Sequence, residues 1–163
     1  MMRAAAFWLG LALCVGVPAG LIVQKEHLLT TGRVVLLRLV PVDPRSLMQG
    51  DYMALRYAVG DALFEADGER LDAPNAPTVV IVAVDADGVA THRRLDDGGP
   101  LAPDEQRLRF RHRGGAVSFG AEAYFFEEGR GEYFEAARYG ELRVSEDGVA
   151  LLAGLRDSDR NPL

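Results

Sequence analysis

Cysteine is almost missing from this 163-residue chain, and Cys14 alone excludes an internal disulfide framework and every multi-cysteine metal cluster. Lysine is equally scarce, with Lys25 standing alone beside 17 arginines. The three histidines, His27, His92 and His112, are dispersed singly without H-x-H or H-E-x-x-H spacing, which gives no metal site. No Walker sequence, internal repeat or low-complexity tract occurs. A net charge of −6 argues against general nucleic-acid binding, and an apolar content of 48% argues against disorder. The length fits one domain with room for a membrane anchor besides.

What the chain does have is one long apolar run. Residues 4–23 contain no charged or strongly polar side chain. As a helix at 1.5 Å per residue the run spans about 30 Å, the thickness of a bilayer's hydrocarbon core. Arg3 precedes it as a basic n-region precedes the apolar core of an export signal. Val17-Pro18-Ala19 offers small residues for signal cleavage, but the run continues through Leu21, Ile22 and Val23, longer than a signal core, so the expectation is a retained anchor over residues 1–24. Lys25, Arg33 and Arg38 follow the helix, and their count alone would keep the following domain in the cytoplasm. The signal-like organisation, and the translocation of long domains largely regardless of charge, instead place residues 25–156 outside the cytoplasm. Residues 157–163 read as a polar tail.

After Gln24 the pattern breaks into short β-like runs. Residues 32–40, 51–59, 78–84, 89–95, 107–113, 117–126, 141–145 and 149–155 read as strands. Asp87-Gly88, Gly114-Gly115 and Asp147-Gly148 supply hairpin turns. Residues 132–139 read as one short helix, and residues 60–77 and 96–106 as loops. The expected fold is mainly β: the N-terminal transmembrane helix, then an antiparallel β-barrel-like domain with that helix.

Gly50-Asp51-Tyr52-Met53-Ala54-Leu55-Arg56-Tyr57 matches the defining motif of the GDYXXLXY protein family at all five defined positions, Gly50, Asp51, Tyr52, Leu55 and Tyr57. The resemblance extends through Pro41-Val42-Asp43-Pro44-Arg45-Ser46-Leu47, Tyr124-Phe125-Phe126-Glu127-Glu128-Gly129 and Ala137-Arg138-Tyr139-Gly140-Glu141-Leu142-Arg143-Val144. It implies a bacterial, membrane-anchored protein with no established biochemical activity, encoded beside or fused to polytopic membrane proteins. Read physically, the motif enters a strand from a turn over residues 43–49. Alternation puts Asp51, Leu55 and Tyr57 on one face and Tyr52 and Arg56 on the other. A carboxylate on the core-facing side needs turn amides or an arginine such as Arg38 or Arg45, so Asp51 is expected to lock the turn.

Three chemical templates fail on this sequence. Leu47-Met48-Gln49-Gly50-Asp51 resembles the end of the signal-peptidase serine box, but Val42 stands where the nucleophile would be, Ser46 is misplaced and Lys25 has no strand to present it. Asp85-Ala86-Asp87-Gly88 mimics part of a calcium loop, with Ala83 and Arg94 at ligand positions. Gly129-Arg130-Gly131 lacks the third glycine of a phosphate loop, Phe134 standing there, and Glu127, Glu128, Glu132 and Glu135 surround it.

The unusual feature is an arginine ladder, Arg107, Arg109, Arg111 and Arg113, on one face of a strand. Glu122 on the neighbouring strand is the expected cross-strand partner, and any uncompensated charge becomes a candidate surface for anionic headgroups or an acidic partner. The functional expectation is a non-enzymatic accessory domain, without cofactor, held in the inner membrane by residues 4–23 and paired with an integral membrane protein. Its alternatives are a ligand- or peptide-binding sensor using the barrel mouth near Asp51 and Tyr57, and a hydrolase with an unrecognised site.

Overall fold

Helix α1 (Met2–Thr31) is 30 residues long, with Pro18 inside it. At 1.5 Å per residue that is about 45 Å, a bilayer including its headgroups. Large apolar side chains on it, among them Trp8, Leu13, Val15, Leu21, Ile22 and Val23, are exposed. Among the described residues it is the one helix long and apolar enough to cross a membrane. The computed structural model describes every residue except 1, 41–44, 48–49, 74–75 and 114, and describes the backbone alone at residues 2–7, 9, 45–47, 50 and 51.

Hydroxyls and one backbone amide tie down the last turn of the helix. The Thr30 and Thr31 hydroxyls donate back to the carbonyls of Glu26 and His27, and Gly32 N–H donates to Leu28 O at 2.8 Å. One residue later the first strand begins.

The strands are β1 (Arg33–Arg38), β2 (Arg45–Leu47), β3 (Gly50–Ala54), β4 (Val79–Val84), β5 (Val89–Leu95), β6 (Glu105–Arg109), β7 (Arg111–Arg113), β8 (Ala116–Ser118), β9 (Ala123–Phe125), β10 (Tyr139–Val144) and β11 (Ala150–Arg156). They form a six-stranded sheet in the order β11-β10-β1-β5-β4-β6, a three-stranded sheet β2-β3-β9 and the hairpin β7-β8. The expected antiparallel barrel does not form. The β1–β5 pair is parallel, and no strand ladder among the described residues joins β6 to β11. The sheet curls, however: Arg109 N–H donates to Gly148 O at 2.8 Å and the Gln106 amide to Ser145 O at 3.0 Å, tying the β6 edge to the β10–β11 turn. Strand β6 ends at Arg109, and buried Phe110, whose N–H donates to Thr78 O at 2.9 Å, separates it from β7.

Two helical expectations also change. Residues 58–71, largely read as loop, form helix α2 (Ala58–Leu71), while the helix expected at 132–139 shrinks to α3 (Gly131–Phe134), and Tyr139 opens β10. α2 buries Val59, Leu63 and Leu71. Gly60 is what lets it approach β8: a Cβ there would meet Val117 O at 3.3 Å and the Phe119 ring at 3.4 Å. As part of the connection between β1 and β5, α2 also permits their parallel pairing, which a tight hairpin cannot do.

The core joins Val35 and Leu37 of β1, Val80 and Val82 of β4, Leu142 of β10 and Leu155 of β11 to Leu63 of α2, with Leu108, Phe110 and Phe119 closing it. The opposite face of the sheet carries charge. Glu105 is buried against Arg93 and Arg94, and Glu141 against Arg143 and Arg156.

Candidate functional site

The sequence blocks that share the GDYXXLXY pattern are far apart in the chain and adjacent in space. Strand β3 pairs with β9, placing Tyr52 opposite Phe125 and Met53 opposite Tyr124. Past the strand, Leu55 and Tyr57 go into the core and Arg56 stays out, where its Nε donates to Asp61 Oδ1 at 2.9 Å. The expected alternation therefore holds in burial, although the strand stops at Ala54 and Val59 belongs to α2. Tyr57 bridges to Leu39 and packs edge-on against Phe119, with ring centroids 6.0 Å apart. Its ring also lies against Gly140, where a Cβ would come within 3.1 Å of Tyr57 Cε1.

Tyr57 Oη has no hydrogen-bond partner among the described residues, and burial pushes its phenol well above the ordinary value. The expected turn-locking role of the Asp51 carboxylate, with Arg45 as one partner, lies outside the described side chains, as do the serine-box positions Val42 and Ser46. Arg38, the other expected partner, stacks over the Tyr139 ring at 5.7 Å and reaches its hydroxyl at 3.4 Å. Gly50 stands opposite Leu47 in the β2–β3 ladder.

Beside the motif lies an apolar cavity of about 310 Å³, floored by Leu39 and Val40 and walled by Met53, Phe126, Phe134 and Ala137. Its aromatic wall comes from the alternation of β9. Tyr124 and Phe126 turn inward, with centroids 5.3 and 4.8 Å from Phe134, while Phe125 between them is 75% exposed. The sequence reading missed this cavity; the signal for it was the three consecutive aromatics, whose period of two separates one outward ring from two inward ones. Arg130 caps the cluster, its guanidinium 4.9 Å from the Tyr133 centroid and 5.3 Å from that of Phe134. The Gly129-Arg130-Gly131 segment thus serves aromatic packing.

The arginine ladder divides in two. Arg107 donates from Nε to Asp96 Oδ2 at 2.9 Å and from Nη2 to Gly99 O at 2.8 Å, and that bond holds the Asp96 carboxyl below the ordinary range. Arg109 donates from Nε to Asp147 O at 2.9 Å and pairs with the Asp147 carboxylate at 3.1 Å. Arg111 and Arg113 sit across the Phe110 break on the separate hairpin, exposed, with no ion pair or hydrogen bond to a described side chain. Glu122 is not the cross-strand partner that alternation implied. Arg111 stands opposite Ser118 and Arg113 opposite Ala116, while Glu122 uses its carbonyl to accept from Leu55 N–H. Strand β6 runs parallel to β1, hence away from α1, because β1 is parallel to β5 and both β5 and β6 are antiparallel to β4.

The histidines stay apart. His27 meets Thr31 within α1, His92 on β5 faces Asp67 of α2, and His112 lies against the Phe64 ring and 3.6 Å from Asp72. No group of three metal-ligating side chains occurs among the described residues. The Asp85–Gly88 segment is the hairpin turn expected from its sequence: Asp85 Oδ1 accepts from Asp87 and Val89 N–H, and Gly88 has φ +80°.

No curated protein and no solved structure matches the chain. The family model described as GDYXXLXY protein matches residues 14–155, which takes in the end of α1, the motif, the aromatic cavity and both strands of the last hairpin, and the chain belongs to that family.

Proposed function

We propose that the chain is a membrane-anchored, non-enzymatic accessory domain that docks on an integral membrane protein, with its β-rich part outside the cytoplasm of the cell whose inner membrane holds it. The observation that carries this reading is the junction of α1 with the sheet. A span-length apolar helix passes through one residue, Gly32, directly into β1, the third strand of the sheet. Such a domain is held at a fixed height above the bilayer, where a partner in the same membrane can meet it. The docking surface is the β9 and α3 end of the fold, where Phe125 and Tyr133 are exposed. Exposed aromatic side chains, with Arg130 against the Tyr133 ring, are the residue types enriched in interface hot spots.

The test uses the full chain expressed in its own membranes, cross-linked and purified. The expected result is recovery of one integral membrane protein with the wild type and loss of that protein with Phe125→Ser. Equal recovery with both, or recovery of none, overturns the docking surface. A reporter fused after Leu163 is expected to be active outside the cytoplasm, and cytoplasmic activity overturns the orientation.

A second reading is favoured by the aromatic cavity. Its volume of about 310 Å³ and its apolar lining fit a small ligand, near the lower end of the usual range. Met53→Trp, which fills it, is expected to abolish ligand-dependent thermal stabilisation under this reading and to change nothing under the first.

A further inference from the structure

We propose that the groove between the end of α1 and the β10–β11 turn binds the headgroup of phosphatidylethanolamine. The groove has a volume of about 760 Å³, and it lies where the helix meets the domain. It rests on the reading of α1 as a membrane span. With residues 4–23 in the hydrocarbon, Lys25 follows about 3 Å further along the helix axis, at the level of lipid phosphates.

The two walls carry opposite charge. The helix side presents Lys25 and Arg33, and the turn side presents Glu146 and Asp147. Arg33 is partly engaged, donating to Glu105 O at 3.2 Å, and Asp147 is engaged with Arg109. Lys25 and Glu146 are exposed and have no ion pair or hydrogen bond to a described side chain. Lys25 stands one turn before Leu28, on the helix side that leans on the sheet, so its position in the groove is set by helix geometry.

An anionic headgroup would find its phosphate attracted by Lys25 and the rest of it facing two carboxylates. A zwitterion answers both walls, its phosphate toward Lys25 and Arg33 and its cation toward Glu146 and Asp147. The cation must also be a hydrogen-bond donor. The groove offers carboxylate oxygens and no Phe, Tyr or Trp ring among its lining residues, which suits a primary ammonium rather than a trimethylammonium. Asp147 stays ionised for this task, because the Ser145 hydroxyl donates to it and holds its carboxyl below the ordinary range.

The experiment uses the full chain in nanodiscs of equal phosphatidylethanolamine, phosphatidylcholine and phosphatidylglycerol, followed by native mass spectrometry of the lipids retained. Phosphatidylethanolamine is expected to be retained over phosphatidylcholine by about fivefold, the scale of one net hydrogen bond. Glu146→Gln is expected to bring that ratio close to one, and Lys25→Gln to weaken retention of both zwitterions together. Equal retention of the two zwitterions by the wild type, an unchanged ratio in Glu146→Gln, or a preference for phosphatidylglycerol overturns the proposal. Carbonate extraction of the same membranes tests the anchor separately. Release of the chain overturns the span reading itself, whereas a retained chain with no headgroup preference overturns the groove alone.

Discussion

The ring of Tyr57 occupies the space that a side chain on residue 140 would need, with 3.1 Å between Tyr57 Cε1 and a Cβ built on Gly140. The last tyrosine of the motif and the second residue of β10 are therefore one packing unit, although 83 positions separate them.

Gly140→Ala is accordingly expected to destabilise the domain by about 1–3 kcal/mol, the usual cost of overpacking a filled core. Tyr57→Phe removes a buried hydroxyl that has no partner among the described residues. It is expected to leave stability unchanged or raise it by up to ~1 kcal/mol. Chemical denaturation of the two variants checks both. A Tyr57→Phe variant weaker than wild type by more than about 1 kcal/mol would mean that the hydroxyl does have a partner.

Acidification is expected to weaken the fold in two stages. Burial lowers the pKa of His92 from the ordinary 6.5, against the opposing pull of Asp67, so the folded state prefers the neutral ring. The stability this contributes is complete above 6.5 and is lost as the pH falls toward the folded value. Asp96 and Asp147 are held below the ordinary 3.8 by their hydrogen bonds with Arg107 and Ser145, so their contribution persists until the pH falls through that lower range. Melting temperature measured against pH should show both stages, and His92→Gln should remove the first alone.

The two halves of the arginine ladder are expected to respond differently to neutralisation. Arg107→Gln breaks a partly buried pair with Asp96 and the bond to Gly99, and should lower stability by about 1–3 kcal/mol. Arg111→Gln with Arg113→Gln removes exposed charge that has no partner among the described residues, and should stay within about 0.5 kcal/mol of wild type. Matching losses in thermal unfolding would show the ladder acting as one unit.

The hairpins were legible because their signals are local. Asp87-Gly88 and Asp147-Gly148 each provide a positive φ at the glycine, and the strands on either side fell within two residues of expectation. Helix α2 was not legible, because Gly60 and Gly68 with Asp61 and Asp67 have the composition of a loop. Close approach to β8 demands Gly60, a tertiary reason with no trace in helical period. Counting strands also overstated closure. Strand number says nothing about whether β6 and β11 meet, and among the described residues no ladder joins them. At the site, burial of Leu55 and Tyr57 followed from alternation. The aromatic cavity did not, since it needs the segments after β1 and before β10 to meet β3, Phe126 and α3.

The single residue between α1 and β1 makes the helix and the sheet a lever. Gly32 is closely packed, a Cβ there meeting Leu28 O at 2.6 Å and Arg143 Cβ at 3.1 Å, so with α1 in a bilayer a tilt of the helix is passed on to the domain. The six residues of β1 reach about 20 Å from the junction, so a helix tilt of about 20° displaces their far end sideways by about 7 Å. A hydrophobic stretch longer than the local bilayer core is accommodated in part by tilting. A thinner membrane would thus carry Phe125 across the bilayer plane with no rearrangement inside the domain, and whatever meets that surface would register membrane thickness as position.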